Sequence, residues 1–199
     1  MATVTPKLRV CFTNNCKKVK FTDCTGLYND TTNEYGWSNT QVPGGLELSD
    51  LVTARVSFAK YGETTPTYTF LLRQGLVDLY PTEATDSFDF DELDWAGDDG
   101  IWVVNYVGTV TSGNTFTTYT DTILVTCKAR CCINSLWCQY WTSGHPGTKS
   151  QALLAESLLS AAESSFVCNS TTAANDIIST IEKICLIAEA ESECGGCGG

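Results

Sequence analysis

A chain of 199 residues, 43% of them hydrophobic and 11% aromatic, can hold one generous domain or two small ones, and its composition excludes wholesale disorder. A formal net charge of −11 argues against nucleic-acid binding, because phosphate contacts need Lys and Arg in excess. No apolar run has the length of a bilayer span, and Met1 to Arg9 lacks the apolar stretch of a secretory signal, so a soluble protein made in the cytoplasm is expected.

The first two-thirds reads as β. Leu8, Val10 and Phe12 alternate with Arg9, Cys11 and Thr13, and Val52, Ala54, Val56 and Phe58 alternate with Thr53, Arg55 and Ser57. That is the period of a half-buried strand. Tyr68 to Leu72, Ile101 to Val110 and the Thr-rich run from Thr115 to Thr126 have strand composition as well. Short strands between Gly, Pro, Asn and Asp turns predict an Ig-like antiparallel β-sandwich over residues 1–126.

After Cys127 the period changes. A helix is expected from Lys128 to Trp141, then a break at Ser143-Gly-His-Pro-Gly147. Thr148 and Gln151 have capping-box spacing, so a second helix is placed over Gln151 to Val167, with Leu154, Leu158, Ala161, Ala162 and Ser165 on its core face. A third is expected from Thr172 to about Ala190, where Ile177, Ile181, Ile184, Cys185 and Ala188 recur at helical spacing. Residues 127–199 thus read as a helical hairpin or three-helix unit with a Gly-Cys tail, making the fold class mainly β with α.

Eleven cysteines is a high and odd number. Without a secretory signal a disulfide framework is not the default, which leaves buried free thiols or metal ligands ahead of disulfides. Cys194-x-x-Cys197 has the spacing of half a zinc site, and Cys185 and Cys138 fall toward the same end of an up-down-up helical unit, where they could complete four ligands.

One stretch goes beyond composition: Lys20-Phe-Thr-Asp23-Cys-Thr-Gly26-Leu-Tyr28, followed by Asn33-Glu-Tyr35-Gly36-Trp37-Ser-Asn39. Its pattern, Asp-x-Thr-Gly-x-Tyr and then Asn-x-x-Gly-Trp, resembles small virion proteins of tailed bacteriophages, crAss-like phages in particular. The likeness extends to the layout, a β domain followed by a Cys-bearing helical end. It implies a structural protein of the particle's neck or tail, a homo-oligomeric ring in contact with portal or tail components. An Ig-like adhesion or receptor-binding module of a virion or cell surface is the competing reading.

Physically, the motif reads as an anchored loop between a strand ending near Phe21 and one starting near Leu51, with Asp23 capping the turn at Gly26. Tyr28, Tyr35 and Trp37 offer large contact surfaces, to their own domain or to a neighbour.

Catalysis finds little support. The single histidine, His145, sits in a turn, and no nucleophile elbow, phosphate loop or metalloprotease motif is present, so no enzyme is expected. Charge is distributed unevenly. Lys7, Arg9, Lys17, Lys18 and Lys20 precede the first acid, Asp23, whereas Glu83, Asp86, Asp89, Asp91, Glu92, Asp94, Asp98 and Asp99 form an acidic run with no base among them. Such a run is usually a solvated loop. It also invites a head-to-tail contact in which Asp89, Asp91 and Asp94 of one subunit meet Lys17, Lys18 and Lys20 of the next, a geometry that closes rings.

Overall fold

The computed structural model describes residues 3–4, 6–24, 27–29, 34–37, 46–47, 51–74, 88–90, 92–110 and 115–188. In chain order the first strands are β1 (Thr3–Val4), β2 (Leu8–Thr13), β3 (Lys18–Asp23), β4 (Leu27–Asn29), β5 (Glu34–Trp37) and β6 (Leu46–Glu47). There follow β7 (Leu51–Lys60), β8 (Tyr68–Gln74), β9 (Phe88–Asp89), β10 (Leu93–Asp94), β11 (Gly100–Val110), β12 (Thr115–Phe116) and β13 (Tyr119–Val125). The chain ends in α1 (Cys127–Ser143), α2 (Pro146–Val167) and α3 (Thr171–Ala188).

The chain divides into two compact units. One comprises 1–95 and 103–122, the other 96–102 and 123–199, so the short segment Ala96–Trp102 belongs with the helices although it lies within the β-rich sequence.

In the first unit, β3 lies between β2 on one side and β10 and β9 on the other, all antiparallel to it. A second sheet has the order β13-β11-β7-β8. The strand period works as expected here. Val19 and Phe21 from β3 are fully buried, as are Ala54, Val56 and Phe58 from β7 and Val104 and Tyr106 from β11. The two sheets meet through aromatic rings: Phe21 lies 5.9 Å from Phe58 and 5.6 Å from Phe70. Trp95 fills the middle, 4.8 Å from Phe58, 5.0 Å from Tyr68 and 5.2 Å from Phe12. Offset and edge-on contacts of this kind stabilise beyond the area they bury.

The β2–β3 hairpin turns through Asn14, Asn15 and Cys16, all at positive φ, and closes with Lys17 N–H donating to the Asn14 carbonyl at 3.0 Å. Asn tolerates the left-handed region, so the turn chemistry is consistent with the sequence.

The helical unit has its own core of Ala129, Cys132, Ile133, Leu136, Ala152, Ala155, Leu159, Ala162, Ile178, Ile181 and Cys185. On α3 the expected stripe holds as far as Cys185, with Ile181 and Cys185 buried and Ile177 and Ile184 packed beside them; the Ala188 side chain lies outside the described ones. On α2 it holds only in part. Ala162 is buried and Leu158 packs against the core, but the rest of the buried face is Ala152, Ala155 and Leu159, while Leu154 is 52% exposed and Ala161 lies outward. The physical reason is close approach: α2 packs against both α1 and α3, and its alanines let the backbones come together where leucines would hold them apart.

The start of α2 also differs from expectation. The helix begins at Pro146, not Gln151, and its N-cap is His145, whose Nδ1 accepts from the Gly147 N–H at 3.2 Å. Proline is pre-set for the first helical position and loses no needed donor there, so it outcompetes the Thr148 capping box. α1 ends at Gly144, which takes φ +67 and donates to the Tyr140 carbonyl at 2.7 Å.

Candidate functional site

The motif residue Asp23 closes β3 and is fully buried. Tyr106, also fully buried, donates its hydroxyl to Asp23 Oδ2 at 2.7 Å. The Asp is therefore tied to the opposite sheet; Gly26, whose turn it was expected to cap, lies outside the described residues. Beyond it the chain is not a plain loop, as the sequence suggested, but an antiparallel meander of β4, β5 and β6. Tyr28 stands directly across from Tyr35, and Trp37 across from Leu46. Asn33 and Asn39 lie outside the described residues.

Close to this root stand Cys24, Tyr119 and Asp121. The Cys24 N–H donates to the Lys7 carbonyl at 2.9 Å, and the Tyr119 hydroxyl donates to Asp121 Oδ2 at 3.0 Å. Burial, and then the bond to Asp121, push the Tyr119 phenol up to about 12. It stays a neutral donor throughout the physiological range.

The cysteines correct the expectation of reduced thiols. Cys132 and Cys185 form a disulfide across a sequence separation of 53, with Cα atoms 5.9 Å apart. Cys16, Cys127, Cys131 and Cys138 are disulfide-bonded as well, while Cys11 and Cys168 keep exposed thiols. A sulfur bound to sulfur has no thiolate to offer a metal. In this oxidised state Cys138 and Cys185 do not join Cys194 and Cys197 in a zinc site; the latter two lie outside the described residues. No group of three or more His, Cys, Asp or Glu side chains among the described residues could hold a metal ion.

The described end of the acidic run is more structured than a solvated loop, while Glu83, Asp86 and Asp91 lie outside the described residues. Asp99 is buried, and its carboxylate accepts from the backbone N–H groups of Lys128 at 3.0 Å and Ala129 at 2.6 Å. It caps α1, whose own N-cap Thr126 makes no side-chain cap bond. Burial raises the Asp99 pKa, with those amides and Lys128 acting against the rise. Next to it, Lys128 Nζ pairs with Asp98 Oδ1 at 2.7 Å, and this bond raises the Lys128 pKa. Asn175 Oδ1 accepts from the Ile101 N–H at 2.9 Å and approaches Gly100, which sits at φ +125 where a Cβ would come within 3.2 Å of it.

Of the charges expected to meet between subunits, Lys18 and Asp94 already meet within one chain. They are cross-strand neighbours on β3 and β10, 2.7 Å apart, and the bond to Asp94 raises the Lys18 pKa. Lys17 is exposed in the hairpin turn, Lys20 lies on β3 across from Cys11, and Asp89 stands opposite Thr22. Asp91 lies outside the described residues.

No protein-family model matches the chain, and neither the curated proteins nor the solved structures contain a match to it.

A feature the sequence reading did not single out lies where α1 meets α2. Trp137, Tyr140 and Trp141 repeat at helical spacing on α1, a signal that was available in the sequence. Trp137 and Trp141 stack with ring centroids 6.4 Å apart, and Tyr140 sits 5.2 Å from Trp141. From α2, Lys149 Nζ stands 5.4 Å above the Tyr140 ring, and Glu156 accepts from Trp137 Nε1 at 2.7 Å. Trp141 is 75% exposed and Leu153, between Lys149 and Glu156 on the same helix face, is 47% exposed.

Proposed function

We propose that this chain is a structural protein of a tailed-phage particle, assembling as a homo-oligomeric ring in the neck or tail and contacting portal or tail components. The observation that carries the reading is the motif beginning at Asp23 and the way its first residue is used. Its side chain is a buried anchor, bonded to Tyr106, from which the β4-β5-β6 meander departs. An anchored meander suits a contact element, with Tyr28, Tyr35 and Trp37 as its contact residues. Residues that chemistry would use serve the fold instead: His145 caps α2 and Asp99 caps α1. This supports a structural rather than an enzymatic role.

Gold-labelled antibody against the chain, applied to purified phage particles, tests the assignment. Label concentrated at the neck or tail is the expected result, and particles that carry none of this protein would overturn it.

One observation favours the competing reading, an Ig-like adhesion or receptor-binding module. The six disulfide-bonded cysteines among the described residues suit the oxidising exterior of a virion or a cell. Binding of the purified chain to host cells or to glycans would select that reading.

A further inference from the structure

The exposed stripe of α2 that borders α1 carries a charge pattern that is complementary to itself. Lys149, Leu153 and Glu156 follow one another along a single face of the helix, at spacings of four and three. At 1.5 Å per residue, Lys149 lies about 6 Å before Leu153 and Glu156 about 4.5 Å after it. If a second α2 lies antiparallel with the twofold axis at Leu153, Lys149 of each copy falls within about 1.5 Å, along the axis, of Glu156 of the other. The two charges are held at the surface in defined positions, Lys149 over the Tyr140 ring and Glu156 by Trp137 Nε1. Leu153 supplies exposed apolar area at the centre, and Trp141 on the adjoining helix is exposed as well. The neighbouring stripe of α2 bears Ser150, Leu154, Ser157 and Ala161, all exposed, so Leu154 adds a second apolar side chain among small residues.

We propose that this face is where a second copy of the chain docks, α2 against α2, in an antiparallel twofold contact centred on Leu153. A second copy is the one partner certain to present the reversed order of charges on the same stripe. The proposal rests on the reading of the chain as a homo-oligomer, and it locates one contact on the helical unit, apart from the meander; a twofold contact joins two copies, or two rings, and does not itself close a ring.

Sedimentation equilibrium of the full chain tests it with Leu153→Glu, Lys149→Glu, Glu156→Lys and the double charge swap. Circular dichroism confirms the fold of each variant. Leu153→Glu is expected to weaken self-association at least about tenfold, as burying a charge at the centre of a small interface does. Each single charge reversal weakens it several-fold, and the double swap K149E/E156K recovers most of the loss, because reversing both signs restores the twofold pattern. Should Leu153→Glu fail to fold, the swap series, whose residues are exposed, decides alone. Parent and Leu153→Glu chains that associate equally, or a double swap no better than its parts, overturn this docking mode while leaving the homo-oligomer reading intact. A parent chain that stays single at every concentration overturns both.

Discussion

Tyr106 donates a 2.7 Å hydrogen bond to Asp23, and neither side chain is reached by solvent. The pair links the end of β3 to the middle of β11 across the core of the β unit, a long-range tie between residues 83 apart. Removing the phenol takes a charge-assisted bond from a buried carboxylate, while an Asn at the same position still accepts from the phenol. Tyr106→Phe should therefore lower stability by about 1.5–3 kcal/mol, and Asp23→Asn should cost less. Urea unfolding checks the order; equal midpoints for Tyr106→Phe and the parent would show the bond contributes nothing.

The disulfide between Cys132 and Cys185 ties α1 to α3. Closing a loop of this length restricts the unfolded chain, which is worth about 2–4 kcal/mol. A Cys132→Ala/Cys185→Ala variant should melt at a lower temperature in the helical signal at 222 nm. An unchanged midpoint would mean that the core alone fixes the two helices.

Asp99 gives the helical unit a pH dependence of definite sign. Its folded pKa lies above the ordinary 3.8 because burial disfavours the charge more than the α1 amides favour it. The folded state therefore holds the proton more tightly than the unfolded chain. This contribution to stability is fully present below pH 3.8 and is lost as pH rises through the folded pKa. Relative to Asp99→Asn, which still accepts at the helix start but carries no charge, the parent should lose stability as the pH rises from about 4. Thermal melts of both across this range test it, and a parent that gains on the Asn variant with rising pH contradicts it. Asp99→Ala, which removes the cap, should cost about 1–2 kcal/mol.

Salt separates the two ways in which copies could meet. Lys18 and Asp94 satisfy each other within one chain. A contact carried by Leu153 and Trp141 should persist at about 0.5 M salt, where exposed charges are screened beyond a few ångströms. An oligomer that dissolves at that salt would instead be held by exposed charges, and reversing Lys149 or Lys17 in turn would tell the α2 pairs from the acidic run.

The strands and helices were legible in the sequence because a half-buried strand and an amphipathic helix each impose a period, and Val19–Phe21, Ala54–Phe58 and Ile177–Cys185 follow it. What depends on distant partners was not. The Asp99 cap serves a helix 30 residues away, and no local pattern announces it. The pairing of Cys132 with Cys185 follows from how α1 crosses α3, so cysteine spacing in the sequence could not reveal it. On α2, Leu154 looks like core by its hydrophobicity, but the choice of face was made by the alanines that two neighbouring helices need. Of the candidate site residues, Lys18 and Asp94 were brought together, though within one chain rather than between two. The zinc set was altered by disulfide bonding at Cys138 and Cys185.

The central claim, that this is an assembly protein, is tested most directly by the mass of the purified chain in solution. Sedimentation equilibrium over a wide concentration range should give a defined multiple of the single-chain mass, falling toward one chain only on dilution. The mass of a single chain at every concentration would contradict it.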